Sequence, residues 1–423
     1  MNSRQESIAS PDFYKASARP GFLDRLARRA VFSRLERLAV GQIIVNEQGT
    51  ETVFGHVAED FPDAVHIHVR HPRFYSDIAF GGAIGAGEAY IQNHWSCSDL
   101  SQVLQIFLRN REVLEKIDSG LAVLSRPAQK FLHFLNKNTR TGSRKNISAH
   151  YDLGNDFYQL WLDPSMMYSS AYFETDSTPL YDASVAKLDR ICKKLDLSPA
   201  DSVVEIGTGW GGFALHAAAN YGCHVTTTTI SKQQHDYAES AIREAGLEDK
   251  ITLLFNDYRD LEGSYDKLVS IEMIEAVGHE FHETFFRKCC ALLKPEGQML
   301  LQAITIADQR YEQYKNSVDF IKRYIFPGGC LTSVTDMTRT MTKHTDMRVF
   351  HLEDIGMHYA KTLRHWNERF FARIQEVREQ GYSEEFIRLW EFYLCYCESA
   401  FIERATGVVQ LHVMRPDARP KNS

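Results

Sequence analysis

Val203-Val204-Glu205-Ile206-Gly207-Thr208-Gly209-Trp210-Gly211-Gly212-Phe213 decides the fold of this protein. Asp201 to Ile206 predicts a short buried strand and the glycines a tight turn. Phe213-Ala214-Leu215-His216-Ala217-Ala218 predicts the start of a helix. Glycine accepts positive φ and carries no Cβ, so a ligand can approach bare backbone while the helix N-terminus presents N–H donors. Gly207, Gly209 and Gly212 satisfy the dinucleotide spacing. The next strand, His224 to Ile230, nevertheless ends in threonines and Ser231, without the acid that would hold a ribose diol. The stretch points to a nucleotide-like cofactor other than a dinucleotide, with a plain strand-to-helix turn as the alternative.

Downstream, strands and helices alternate. Ile251-Thr252-Leu253-Leu254-Phe255 ends at Asn256-Asp257-Tyr258, Tyr265 to Ile271 ends at Glu272-Met273-Ile274-Glu275, and Gln298 to Ile306 is a further buried strand after the helix Glu280 to Leu293. Such alternation predicts a doubly wound α/β sheet with ligands at the strands' C-terminal ends. Glu205, Thr229, Asp257, Glu272, Glu275 and Gln302 all fall at or near such ends. Asp308 to Tyr324, Val334 to Lys343, Ala360 to Arg378 and Ser383 to Ile402 read as helices, and Gly407 to Val413 as the last strand. The helices exceed what the sheet needs, so residues from about 307 to 405 are expected to cap its C-terminal edge. An apolar cap over a polar cofactor implies a greasy substrate.

Upstream, Ile147 to Tyr158 and Met167 to Phe173 interleave aromatics with small polar residues at no regular period. They read either as a wall around something flat or cationic, or as a loop filling a satellite cluster. Gly21 to Val40 predicts a helix with Phe22, Leu23, Leu26, Ala30, Leu35 and Leu38 on one side and Arg25, Arg28, Arg29, Arg34 and Arg37 around the rest. Such a helix can lie on an anionic membrane surface or be the solvated face of a domain helix. Strands follow from Gln42 to about Trp95, with Gly81 to Gly87 as a flexible turn. Helical spacing returns from Ser101 to Leu135, and a polar linker runs from Asn136 to Asn146. The protein therefore divides into a small α+β domain, 1–140, and a second domain, 141–423.

A length of 423 residues, with 44% hydrophobic and 24% charged residues, suits an ordinary soluble protein with full cores. The net charge of −7 argues against a general nucleic-acid binder. No apolar run reaches the roughly 18 residues of a membrane span, so a cytoplasmic location is expected. Eight scattered cysteines read as reduced thiols, and no metal-ligand spacing stands out.

The set His150-Tyr151-Asp152-Leu153-x-Asn155-Asp156-Phe157, Tyr168-Ser169-x-Ala171-Tyr172-Phe173, Glu205-Ile206-Gly207-x-Gly209-Trp210-Gly211-Gly212, Asp257-Tyr258-Arg259-Asp260 and Tyr324-Ile325-Phe326-Pro327-Gly328-Gly329 resembles the cyclopropane-fatty-acyl-phospholipid synthases and their mycolic-acid relatives. The resemblance runs from about residue 65 to 413. It implies a Rossmann-like class I methyltransferase using S-adenosylmethionine behind a small lipid-associating domain. By that resemblance Tyr168 and Ser169 close over the methionine end, and Gly207, Gly209 and Gly211 admit the cofactor to the backbone. Glu205 anchors the loop or the amino group, Thr229 and Gln234 face the ribose, and Asp257 and Tyr258 sit at the adenine. It further implies a bicarbonate base held by Glu275, Tyr359 and the backbone of Ile304, with Cys397 matching a cysteine sometimes proposed as catalytic.

The sequence departs from that pattern at three places. Ser170 stands where the best-known bacterial synthases have Cys, Ala276 where they have His, and Gln302 where another His lies. Ser170 and Gln302 can still hydrogen-bond an anion. The expected reaction is methyl transfer to the double bond of an unsaturated phospholipid acyl group, closing a cyclopropane. A methyl- or methylene-branched acyl product, methylation at carbon of another hydrophobic molecule, and a non-catalytic lipid-binding protein remain the alternatives. The expected partner is a phospholipid surface at the inner face of the cell membrane, with a homodimer left open and no nucleic acid.

Overall fold

The computed structural model describes residues 20–111, 113 and 153–419. Their contacts form two units. Gly381–Glu403 joins the N-terminal residues in the first, while the second runs to Gln380 and resumes at Arg404. The expected boundary at 140, the linker Asn136 to Asn146 and His150, Tyr151 and Asp152 lie outside the described residues.

In the first unit, β1 (Gly41–Glu47), β2 (Thr50–His56), β3 (Val65–Val69) and β4 (Trp95–Cys97) form a sheet in the order β2-β1-β3-β4. Gln48 and Gly49, both at positive φ, turn the β1–β2 hairpin. α1 (Phe22–Leu35), α2 (Arg73–Ile91) and α3 (Leu100–Arg109) accompany it. The expected flexible turn at Gly81 to Gly87 is instead the interior of α2, broken only at Gly82, where φ is 60° and ψ −142°. The kink brings backbone to backbone: a Cβ on Gly85 would stand 2.0 Å from the Asp77 carbonyl oxygen. Small residues permit that approach, and the same smallness reads as a turn in the sequence.

The helix Glu384–Ile402 also belongs to this unit, which corrects the expectation of one continuous cap. Its Arg388 donates to the carbonyls of Tyr90 and Trp95, and Ser399 Oγ donates to the carbonyl of Ser101. Its apolar face, Trp390, Phe392, Tyr393 and Phe401, is buried. The spacing reveals an amphipathic helix but not the surface it covers.

In the second unit, β5 (Ser202–Ile206), β6 (His224–Thr228), β7 (Ile251–Leu254), β8 (Tyr265–Ile271), β9 (Leu293–Ile306), β10 (Arg348–Asp354) and β11 (Thr406–Met414) form one sheet. Its order is β10-β11-β9-β8-β5-β6-β7, with β5 to β9 parallel and β11 antiparallel to both neighbours. This is the expected doubly wound α/β sheet. Val203, Val204 and Ile206 are at most 1% exposed, as a parallel strand covered on both faces requires. One core packs Phe285, Phe286, Met299 and Leu411, and the other Leu188, Ile191, Phe213 and Val225.

Three other elements differ from the sequence reading. Asp308 to Tyr324 is a helix only over Asp308–Lys315, followed by a π-type turn at Ile321–Ile325. Lys322 stabilises that break, because its buried ammonium donates to the Tyr314 and Ser317 carbonyls. No element is predicted between Lys343 and Ala360, where β10 lies, because its residues are mostly exposed and so lack a two-residue alternation. The helix expected from Ala360 to Arg378 starts at Gly356 and ends at Ala372, and a separate short helix, Ile374–Glu379, follows it.

Candidate active site

The β5 strand runs straight into the glycine bend. Gly207, Gly209 and Gly211 have φ of 102°, 53° and 95°, which side chains other than glycine rarely adopt. The N–H groups of Gly207 and Thr208 both donate to the Thr228 carbonyl, fixing the bend against β6. Nothing lies within 4 Å of where a Cβ on Gly209 would stand, so its face is open to a ligand. Gly212 has a different task. A Cβ there would meet Met167 Sδ at 2.5 Å and the Ser165 carbonyl oxygen at 2.9 Å, so its absence lets the Ser165–Ser170 segment cross the start of the helix Gly212–Tyr221.

Three glutamates gather at the strand ends. Glu205, almost wholly buried, accepts a 2.6 Å hydrogen bond from Thr227 Oγ1, and burial pushes its carboxyl up to about 8. Glu272 follows β8 with φ of 50°, a left-handed backbone that is rare for a glutamate. Its Oε1 accepts from the Ser170 N–H at 2.9 Å and from Gln302 Nε2 at 2.8 Å. Burial raises its carboxyl above the usual range, opposed by Gln302, the Ser170 N–H, Lys187 and the facing Tyr359 hydroxyl. Glu275 Oε1 accepts from the Ile304 N–H at 2.5 Å. Burial first, and the charge of Glu272 second, push Glu275 up to about 8. The Oε2 atoms of Glu272 and Glu275 are both buried and accept no hydrogen bond among the described residues.

Lys187 answers this negative charge. It is fully buried on the helix Leu180–Lys194 and donates to Ser169 Oγ at 2.8 Å. Burial pulls it down to about 8, against the pull of Glu272, Asp163 and Glu205. Lys187 is missed by sequence reasoning, although it occupies the apolar stripe of Leu180, Ala183, Leu188 and Ile191, where a lysine needs a buried partner. Glu272 is visible there only as a residue at a strand end, without a role.

Aromatic rings form the neighbouring wall. Tyr168, half-buried, has its ring centroid 5.3 Å from Trp366, 5.5 Å from Trp161 and 5.5 Å from Tyr158. Tyr359 meets Trp366 edge-on at 5.9 Å. The Tyr168 to Phe173 stretch is irregular, and its backbone is held by side chains. The Ala171 N–H donates to Thr362 Oγ1 and the Phe173 N–H to His358 Nδ1.

The structure brings together Ser169, Ser170, Glu205, Glu275 and Gln302, while Tyr359 reaches the group through Glu272 and Tyr168 through its rings. The remaining positions are occupied differently. Thr229 Oγ1 donates to Gln234 Oε1, so these buried side chains satisfy each other at the end of β6. Asp257 is clasped by Arg259 through Nε at 2.8 Å and Nη2 at 2.6 Å, and Tyr258 packs edge-on to Phe285. Cys397 lies on the helix Glu384–Ile402 of the first unit, whereas every residue of this group belongs to the second.

Residues 138–411 match the family model described as mycolic acid cyclopropane synthetase. The protein is 34% identical over 407 residues to the tuberculostearic acid methyltransferase UfaA1 of Mycobacterium tuberculosis, covering 95% of this sequence and 92% of that one. It is 37% identical over 346 residues to the cyclopropane-fatty-acyl-phospholipid synthase of Escherichia coli, covering 80% of this sequence and 85% of that one. The solved structure of the mycolic acid cyclopropane synthase CmaA1 complexed with SAH and CTAB aligns with a TM-score of 0.59 at 29% identity, covering 64% of this protein and 98% of that one. The residues present fit an S-adenosyl group: an open glycine at Gly209, a bend closed by Thr228 and a buried acid at Glu205.

Proposed function

The chain belongs to the mycolic acid cyclopropane synthetase family, and from that premise we propose that it transfers a one-carbon unit from S-adenosylmethionine to the double bond of an unsaturated phospholipid acyl group, closing a cyclopropane. The observation that carries the reading is the Glu272–Glu275 pair, each with a buried carboxylate oxygen left open, beside the glycine bend and the rings around Tyr168. Bound S-adenosylmethionine supplies an electrophilic methyl group on a sulfonium centre. An alkene is a weak nucleophile, so holding it in line in a water-poor cleft contributes roughly 7–11 kcal/mol. The acyl group left behind is cationic. The face of Tyr168 attracts such a charge by about 2 kcal/mol when desolvated, and the ring does not capture it as a hydroxide would.

Bicarbonate does not fit the donors present. Gln302 Nε2 serves Glu272, and Gln302 Oε1 accepts from Gln410 Nε2 at 3.0 Å. Ser170 Oγ donates to the Ala171 carbonyl, and the Ile304 N–H serves Glu275. An anion placed there would also face two carboxyl groups. The resemblance to UfaA1 over nearly the whole length favours a second reading, a methylene-branched acyl product, which forms without a reductant.

The proposed membrane contact is α1. Phe22, Leu23 and Leu26 are 68%, 59% and 46% exposed on the same helix as the exposed Arg25 and Arg29, while Ala27, Val31 and Leu35 are buried. Apolar side chains flanked by arginines suit an anionic bilayer, and the inner face of the cell membrane is the proposed location. No helix among the described residues is long and apolar enough to cross a membrane.

The test is incubation with isotopically labelled S-adenosylmethionine and monounsaturated phospholipid vesicles, followed by mass spectrometry of the fatty esters. A product one methylene heavier that resists hydrogenation supports the cyclopropane. One that takes up hydrogen supports a methylene branch, and no labelled lipid defeats both readings.

A further inference from the structure

Glu272 is the group in this site with the least structural reason to be there. Its backbone sits at φ of 50°, where glycine would be unstrained. Its side chain is nonetheless aimed inward and held from two sides, by the Ser170 N–H and by Gln302 Nε2 from β9, while the Gln302 carbonyl accepts from the Glu272 N–H at 2.8 Å. Gln302 is itself oriented by Gln410, whose Oε1 accepts from Lys194 Nζ at 2.6 Å. The supports fix one oxygen and leave the other, among the described residues, without a hydrogen bond. Strain kept at a site, and an acid aimed by a relay of side chains, point to work done by the free oxygen. The other groups facing Glu272 are Lys187, Tyr359 and Glu275.

We propose that Glu272 is the catalytic proton acceptor of this enzyme, paired with Glu275 so that the two carboxyl groups share one proton and Glu272 Oε2 receives the one the substrate gives up. The inference rests on the functional reading above. In the step, a C–H bond of the transferred methyl group breaks, its electron pair forms the bond to the cationic carbon one position away and closes the ring, and the proton passes to Oε2. Where a hydride shift has first moved the charge to the methyl-bearing carbon, the same electron pair becomes the double bond of a methylene branch. No external base is consumed. Glu275, pinned through Oε1 by Ile304, stays protonated while Glu272 is charged, because two adjacent carboxylates in a buried site cannot both ionise. Lys187 stabilises the pair's single charge without touching the substrate.

The experiment compares wild type, Glu272→Gln and Glu272→Gly. Infrared titration of the cofactor-free protein reads the protonated-carboxyl band, to which Glu205 and Glu275 both contribute up to about pH 8 in wild type. In Glu272→Gln the Glu275 share, identified as the part missing from Glu275→Gln, should titrate at lower pH because the neighbouring charge is gone, while the Glu205 share stays. With lipid, Glu272→Gln should bind S-adenosylmethionine like wild type in calorimetry but turn over about a hundredfold slower. Glu272→Gly should raise the unfolding midpoint by relieving the strained backbone, yet lose turnover equally, which separates chemistry from folding. An unmoved band, wild-type turnover in Glu272→Gln, or loss of cofactor binding in both variants overturns the proposal. A wild-type protein that binds the cofactor but adds carbon to no lipid overturns the functional reading and the acceptor with it. A methylating wild type matched by Glu272→Gln overturns the acceptor alone.

Discussion

Each unit of the molecule holds glutamates whose carboxyl groups burial pushes up, and the two units treat them differently. In the first unit Glu391 is raised by burial, but Tyr90 OH donates to its Oε2 at 2.7 Å and Arg388 lies close enough to favour its charge. That arginine stacks over the Tyr90 ring at 4.0 Å while donating to two carbonyls. Phenol, guanidinium and acid tie the helix Glu384–Ile402 to α2. In the second unit Glu272 and Glu275 are also shielded from solvent, yet each keeps a buried oxygen that accepts no hydrogen bond of normal geometry among the described residues. Burial alone therefore does not mark a functional acid. Burial with one anchored oxygen and one open oxygen does, since the open one costs stability for which only function gives a reason.

The largest effect expected from that contrast is at Glu275. Glu275→Gln keeps the carbonyl oxygen that accepts from Ile304 but removes the titratable proton, so turnover should fall by about 10²-fold or more. The unfolding midpoint should hold or rise, and steady-state kinetics beside thermal unfolding read both. A variant that loses stability in proportion to activity would make Glu275 a structural acid like Glu391. Next comes the glycine bend. At Gly209 a methyl group meets no neighbour, and the penalty is the positive φ alone, about 1–2 kcal/mol. Gly209→Ala should therefore fold while binding S-adenosylmethionine far more weakly in calorimetry. Undiminished binding would remove the cofactor from this bend.

The bend was legible because its signal is local: valines and isoleucine before glycines, alanines after. The glutamates at the strand ends were legible as positions, because alternation fixes where a parallel sheet presents its carboxyl ends. Pairings were not. Nothing in the spacing says that Thr229 bonds Gln234, that Arg259 occupies Asp257, or that Lys187 sits under three acids, since each pairing joins a side chain to a surface chosen by the fold. The helix Glu384–Ile402 shows the same limit on a larger scale. Its apolar face is plain in the sequence, but an apolar face fits any core, and it covers the first unit rather than the sheet. Glycines mislead in α2 because the run that bends the backbone at Gly207 serves there only to let one stretch of backbone pass close to another.

A smaller effect follows from pH. Glu205 and Glu275, raised to about 8 from the ordinary 4.5, bind protons in the folded protein that the unfolded one has released. Stability is greatest below the unfolded value and falls as pH climbs towards about 8. Lys187, lowered to about 8 from 10.5, acts above that range with the opposite slope, because the unfolded protein then binds the extra proton and stability recovers as pH rises. The unfolding midpoint plotted against pH should therefore dip near pH 8. Glu275→Gln should shallow the falling limb and leave the rising one. A midpoint flat through this window would mean that neither acid holds a proton in the folded protein that the unfolded one releases.

The smallest effect tests the other half of the contrast. Tyr90→Phe deletes the hydroxyl that donates to Glu391 while keeping the ring that carries Arg388. A buried acid then loses a donor, at a cost of about 1–3 kcal/mol. Arg388 remains to offset part of it, so the lower end is expected from denaturant unfolding. Turnover on vesicles should not change, because this acid's work is to hold a helix in place. Should Tyr90→Phe slow the reaction as much as it weakens the fold, Glu391 would join the acids of the second unit, and an open oxygen would no longer distinguish a catalytic carboxyl from a structural one.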